Sequence, residues 1–479
     1  MTCVPRVFVC VIALAALLSV PVLGQQAPQP AASTDFTFRA ERSQWVPVAL
    51  SGTGPLYEIT WPDTAAYTWD TALLGVGVAT PPLPPATPGA PAAATPAGVP
   101  PSTPFIEIVS GAYTDRQYFR AGESGQRWLN VSHLQGRVTP STRVTLRAEG
   151  LTIGTGTTAL RLFHSKPDLS KSVLVLAPHP DDAEIAAFAL YATTRSTVAT
   201  VTAGNAGSAT YEAVFGDNQV PEQYHFKGRI RVIDSITIPW QGGVPPERAL
   251  NLGYFDARLG TMYTTPNAVV PEMYGPNSDI NAYLQYNFSP LAPKRSRQST
   301  WNNLVADIEA LLRKVNPTVI AAPHPQLDNH RDHQFTTVAL VEALARWRRN
   351  VTLLLYTNHA DNNRYPYGPA GTLMSLPAIA ETVELDRVFS LAVSPDMQRQ
   401  KLFALESMHD LRYSPSRQYQ LAIGEGRAPQ SEKEGPRPDI TYLRRGPRSN
   451  ELYFVYDQDT VKPMIDAFLR PFVAKRSLN

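Results

Sequence analysis

From residue 172 onward the chain alternates continuous apolar runs with helix-period segments, and that alternation admits few folds. SVLVLAP (172–178), STVATVTAG (196–204), PTVIAAP (317–323) and VTLLLYT (351–357) read as strands buried on both faces. Between them lie DDAEIAAFALYATTR (181–195), WNNLVADIEALLRKV (301–315) and HQFTTVALVEALARW (333–347). The second of these sets Leu304, Ile308, Leu311 and Leu312 on one helical face. Strands separated by helices predict an α/β fold, a parallel sheet with crossover helices. Ligands in such sheets sit beyond the carboxyl ends of the strands.

The chain before residue 172 has a different texture. FTF, WVPVAL, LYEITW, FIEIVS, QRWLNVS, STRVTLRAEGLTI and TALRLF are short β-type runs broken by turn residues, and no helix-period segment precedes residue 180. This predicts an all-β, sandwich-like N-terminal domain over residues 35–168, followed by a second domain over 169–479. Residues 79–104 are almost wholly Ala, Pro, Thr, Gly and Ser. They cannot bury a core and read as a loop within the β-rich domain.

Residues 1–24 read as a cleaved secretory signal peptide, with 25–34 a flexible leader. Arg6 precedes the apolar run 7–20, and Val22 and Gly24 supply small residues before Gln25. An uncleaved anchor is the alternative, but Pro21 and the small-residue exit favour cleavage. The expectation is a periplasmic or extracellular protein with no stable membrane span. The two cysteines, Cys3 and Cys10, would leave with the signal. Disulfides, thiol catalysis and cysteine-type zinc sites are then excluded. Lys+Arg number 43 against Asp+Glu 41, and a net charge of +2 gives no field for a nucleic-acid partner.

Two segments fall at strand ends. One is Ala177-Pro178-His179-Pro180-Asp181-Asp182-Ala183-Glu184; the other runs from His324 through Asp328, His330, Arg331 and Asp332 to His333. Together they hold four of the nine histidines. Imidazole and carboxylate converging at strand ends suit a divalent metal. His179 and Asp182 can face one point across a strand-to-helix turn, and a third ligand from the second loop would leave a position open for water.

These segments resemble the PIG-L / LmbE-like family of zinc-dependent N-deacetylases. HPDDAE and the HRDH of 330–333 carry the resemblance. VTAG (201–204), Arg231 and Asp234 in RIRVID, LNLGYFDARL (250–259) and KLFALESMHD (401–410) follow in the family's order. The resemblance covers roughly residues 172–415. It implies a Rossmann-like, mostly parallel sheet with flanking helices. It implies one Zn2+ per chain, held by His179, Asp182 and His333. Asp181 would be the general base acting on the attacking water. His330 would stabilise the oxyanion as an imidazolium, with Asp332 holding its orientation, and Arg231 and Asp256 would contact substrate. The family's Gly-Gly pair after Asp-Asp-x-Glu is absent; the helix reads IAAFALYA, which bears on its packing distance from the sheet. Residues 259–300 form an insertion containing Tyr263, Tyr274, Tyr283 and Tyr286, then Lys294, Arg295 and Arg297.

Plainer readings stand beside these. Asp181 with Glu184 fits a capping box, and Asp332 fits a helix cap. Glu184 reads as a cap or outer support, His324 as outer support or a loop residue, His359 as a solvated loop histidine, and His409 as structural. The insertion's tyrosines would either stack on sugars or pack a long loop. Trp45, Trp61, Trp69 and Trp128 read as core rather than a carbohydrate platform. Asn130-Val131-Ser132 is a weak glycosylation sequon.

The expected function is hydrolytic removal of an N-acetyl group from an N-acetylhexosamine-containing glycan or glycoconjugate. The alternatives are an amidase acting on a larger N-acyl conjugate, or a non-catalytic glycan-binding or assembly protein that uses its β-rich domain.

Overall fold

The alternating segments build a seven-stranded sheet. Its order is Ala249–Tyr254, Arg195–Thr202, Ser172–Ala177, Val319–Pro323, Thr352–Tyr356, Asn450–Asp457, Arg387–Ala392. The first five strands run parallel. The last two are antiparallel additions at one edge. The fold is therefore mixed α/β. The central strands are buried along almost their whole length, because helices cover both faces. The chain leaves Ser172–Ala177 toward one edge and returns beside it as Val319–Pro323. Between those two carboxyl ends lies the crevice that such a reversal opens.

The computed structural model describes residues 36–81, 103–207, 211–216, 218–293, 298–379, 381–409 and 446–477. The expected signal peptide, the leader, most of the Pro/Ala-rich loop, and Lys294, Arg295 and Arg297 lie outside the described residues. Among the described residues no helix is long and apolar enough to cross a membrane.

The β-rich N-terminal region is one continuous antiparallel sheet. Its order is Tyr113–Tyr118, Phe105–Ser110, Arg143–Glu149, Leu56–Thr60, Gln44–Thr53, Gly156–Phe163, Thr71–Ala79, Ser124–Asn130, with Thr152–Gly154 also on Thr71–Ala79. Val144 and Leu146 alternate with more exposed neighbours along their strand. They share one core with Ile106, Leu74, Leu129 and Leu160 from across the sheet. A sheet whose distant strands share a core has folded over on itself. Trp61 and Trp128 are buried in the region, whereas Trp45 is exposed. Asn130 is buried, and its side-chain amide donates to Met374 O and Ser390 Oγ, so the sequon is a structural feature.

The helices follow ordinary capping chemistry. Thr300 Oγ1 accepts from Asn303 N at the start of Trp301–Val315, and Asn316 ends it in a left-handed conformation. Asp182–Ala192 breaks its helical geometry at Ala187. Beyond that break Ala189 N and Leu190 N donate to Glu451, which the buried Lys401 pairs. Three tyrosines of the insertion 259–300 pack against neighbouring rings. Tyr263 lies against Trp301 and Phe335, Tyr283 against Phe255, and Tyr274 stacks on Tyr224.

Candidate metal centre

The strand Ser172–Ala177 delivers its chain to Pro178, whose carbonyl accepts from both the amide and the hydroxyl of Thr202. The turn that follows is tight. His179 N donates to Asp182 Oδ2 at 2.9 Å, which fixes the two side chains on one side. On the neighbouring strand His324 N donates to Tyr356 O, and the loop then leads into the helix Arg331–Trp347. Its first turn carries His333 to the same point.

Three donor atoms meet there. His179 Nδ1 is 3.2 Å from Asp182 Oδ2 and 3.1 Å from His333 Nε2, and His333 Nε2 is 3.1 Å from Asp182 Oδ2. All three residues are buried. Protons cannot satisfy all three edges of such a triangle: an N–H on both rings serves the two edges to Asp182 but sets N–H against N–H on the third, and an N–H on one ring leaves the other ring's lone pair facing the carboxylate. Three donors around one zinc ion at ~2.0–2.1 Å lie roughly 3.3 Å apart. The residues therefore fit a divalent cation of that size. His330, His359, Asp256 and Asp332 complete overlapping clusters of possible ligands around this point.

Each of these three donors is held from behind. His333 Nδ1 donates to Asp328 Oδ2 at 2.9 Å. That oxygen also accepts from Asn358 N and His359 N, and Asp328 Oδ1 accepts from His330 N. Asn358 Nδ2 donates to Asp182 Oδ1 at 2.7 Å. His179 Nε2 faces Asp256 Oδ1 at 3.1 Å, close enough to pair charges though not aligned as a hydrogen bond. Buried carboxylates behind ligand imidazoles fix ring orientation and raise basicity. Burial works against charge on His333, but Asp182 and Asp328 prevail and push it up to about 9. Burial likewise opposes the charges of Asp182 and Asp256; His333 and His179 hold the first well below the carboxylate range, and His179 and Arg231 the second.

Asp181 lies beside the triangle with φ 147°, a strained backbone for a residue with a side chain. It stands at the helix N-terminus yet makes no side-chain cap bond. Its carboxylate accepts instead from Arg231 Nη2 at 3.0 Å. Burial raises its pKa to about 7, against the pull of Arg231. The resemblance placed Arg231 on substrate. The structure places it behind Asp181, buried, donating also to Pro180 O and Gly204 O. Gly204 has φ +63°, and a Cβ there would overlap the guanidinium.

Asp332 and His330 also differ from the reading of the motif. The Asp332 carboxylate accepts from Ala257 N and Leu259 N and so secures the segment carrying Asp256. It is the Asp332 backbone amide that meets His330, donating to Nδ1. His330 thus caps its own helix and carries its proton on Nε2. Burial, then repulsion from His179, His333 and His359, lowers His330 to about 3. Among these rings it is neutral, not an imidazolium. Its Nε2–H remains a donor.

The reading of the motif missed three participants. Asp328 stood in the quoted segment without a role. Asn358 and His359 follow the apolar run VTLLLYT, and strand-end position was the available signal. His359 is not a solvated loop residue: its ring centroid lies 4.6 Å from that of His333. His324 is buried, accepting on Nδ1 from Gln326 N and Leu327 N. Glu184 is buried against Tyr191 Oη, and His409 pairs with Asp234.

Comparisons with known proteins can be set beside this geometry. No curated protein sequence matches the chain. Among solved structures, GalB, the 4-carboxy-2-hydroxymuconate hydratase from Pseudomonas putida KT2440, overlays with TM-score 0.29 at 12% identity, covering 60% of this chain and 95% of its own. A family two carbohydrate esterase from Cellvibrio japonicus overlays with TM-score 0.14 at 11% identity, covering 66% and 89%. Residues 174–344, the span that supplies all three donors, match PIG-L, described as GlcNAc-PI de-N-acetylase, and carry a domain of that family.

Proposed function

We propose that the protein is an exported, zinc-dependent N-deacetylase acting on an N-acetylhexosamine unit of a glycan or glycoconjugate. The observation that carries this is the buried triangle of His179, Asp182 and His333 with the Asp181 carboxylate at its side. Zinc held by those three residues would polarise an amide carbonyl and make water more acidic. The chain's own groups do the rest. Asp181, with a pKa near neutrality, accepts a proton from the attacking water and can return it to the leaving amine. Arg231 keeps that carboxylate aimed. The Nε2–H of neutral His330 donates to the oxygen that gains charge as the carbonyl carbon becomes tetrahedral. Asp256 steadies His179 from the opposite side.

Acetate release by the protein beginning at Gln25 tests the reading. The substrates are N-acetylglucosamine, its short oligomers and envelope glycan, each with zinc and with chelator. Chelator-sensitive acetate supports it. One bound zinc per chain without acetate from any of them rejects the acetyl group.

A second reading, an amidase for a longer N-acyl conjugate, draws on one feature. A small apolar recess of about 30 Å3 beside Asn358 is lined by Ile185, Tyr365, Met374, Leu452 and Phe454. Release of a longer fatty acid from an N-acyl amine, with no acetate, would favour it.

A further inference from the structure

Arg120 joins the β-rich N-terminal region to the segment that runs beside the metal centre. Arg120 follows the edge strand Tyr113–Tyr118, in a turn closed by its own amide donating to Glu123 Oε2. Its Nη1 donates to Asp361 Oδ1 at 3.2 Å, and both side chains are largely buried. Asp361 Oδ2 accepts from Tyr367 Oη at 3.0 Å, so the carboxylate is held on both oxygens.

Asp361 belongs to the segment that serves two of the three ligands. Three residues earlier, Asn358 donates to Asp182 Oδ1. The amides of Asn358 and His359 both donate to Asp328 Oδ2, which orients His333. His359 Nδ1 donates to Asn363 Oδ1 at 2.7 Å. The segment is not in a relaxed conformation. Asp361 and Asn363 both have left-handed backbones, with φ 47° and 65°. Such residues persist where their surroundings over-determine them. Here the surroundings include the β-rich sheet. A side chain at Gly368 would overlap the ring of Tyr118, so the edge strand and this segment are in close packing. Arg448 secures the far end through Pro366 O, Tyr367 O and Gly368 O.

The geometry points to Arg120 as a positioning residue of the metal centre, acting through Asp361 on the segment that holds Asp182 and His333. It rests on the reading of those residues as ligands and is independent of the substrate. The β-rich region then has a defined part in the site: it sets the register of Asn358 and His359. Partners one step behind metal ligands typically contribute 10–100-fold in affinity. Arg120 stands a further step back, so the expected effect is about tenfold.

The test measures zinc affinity of the chelator-stripped full chain by competition with a chromophoric chelator, and the visible spectrum of the cobalt-loaded protein. Arg120→Ala is expected to weaken zinc about tenfold and to alter the cobalt spectrum, while Arg120→Lys restores most of both. Asp361→Asn should weaken zinc similarly, and Arg120→Ala combined with it should add little. Arg116→Ala is the control: Arg116 pairs with Glu107 elsewhere in the same sheet and should leave zinc affinity unchanged. If Arg120→Ala does not fold, Asp361→Asn reads the same contact from its other side. A parent that binds zinc together with a folded Arg120→Ala or Asp361→Asn of unchanged affinity overturns the inference alone. A parent that binds no zinc overturns the ligand assignment and the inference with it.

Discussion

Asp328→Asn asks the most of the centre with the smallest change in shape. Asp328 Oδ2 accepts three hydrogen bonds, from His333 Nδ1 and the amides of Asn358 and His359. An asparagine keeps at most one oxygen there and carries no charge. His333 then loses the anion that orients its ring, and Asn358 loses part of its anchor. The expected loss of zinc affinity is about 10–100-fold, roughly 1.4–2.7 kcal/mol. The metal-free fold also weakens. Burial opposes the Asp328 charge, but His333 and His359 hold its pKa down to about 2. A depressed carboxylate stabilises the fold above its unfolded value near 4 and stops doing so as pH falls toward 2. At ~1.36 kcal/mol per unit, that contribution is on the order of 2 kcal/mol at neutral pH. Competition titration gives the affinity, and urea unfolding of the stripped protein at pH 7 gives the stability. A folded Asp328→Asn protein that binds zinc within about twofold of the parent would refute the argument that His333 depends on this carboxylate.

Three further outcomes follow from the charges of the centre. Asp181→Asn should lower kcat by about 10^2–10^4-fold while zinc binding survives. The parent's kcat/KM should rise with pH through a limb at or below about 7, because the base form lies above the Asp181 pKa and a bound cation can only lower that value; a limb that persists unchanged in the residual activity of Asp181→Asn removes Asp181 as the base. Zinc binding at pH 7 should expel protons, since metal-free His333, raised to about 9, is protonated there. Calorimetry in two buffers of different ionisation enthalpy reads the number directly, and identical heats would show that the ligands are already deprotonated.

The parallel half of the α/β sheet was readable because each of its core strands is an unbroken apolar run. The positions proposed as ligands could be picked out because those runs end in histidine and aspartate. The two antiparallel strands were not readable. NELYFVYD (450–457) is buried except at Asp457, and nothing local marks its direction; pairing with Thr352–Tyr356 decides it. Side-chain targets were beyond the motif for the same reason. Arg231 is one turn before Asp234 on an ordinary helix. Only the approach of Gly204 and Pro180 turns its guanidinium onto Asp181 rather than outward. Asp332 reads as a cap on its own helix. Its carboxylate serves a different segment because Ala257 and Leu259 arrive there from 75 and 73 residues away.

One signal of the tertiary arrangement was present in the β-rich region. TALLGVGVA (71–79) is nearly continuous in apolar residues, unlike the alternating RVTLRAE (143–149) of the same sheet. A strand buried on both faces needs a second cover. The cover is the edge of the α/β sheet. Leu73, Trp128 and Phe163 share a core with Val388 and Leu452, and Ser390 N donates to Thr71 Oγ1. Deleting the N-terminal region would therefore strip apolar surface from the α/β core as well as remove Arg120. A loss of activity after such a deletion cannot tell a glycan-binding region from a structural one. Point changes can: Asp181→Ala leaves this shared core intact and removes the proposed base together with the carboxylate that Arg231 holds, so activity that survived it would leave the β-rich region as the seat of function.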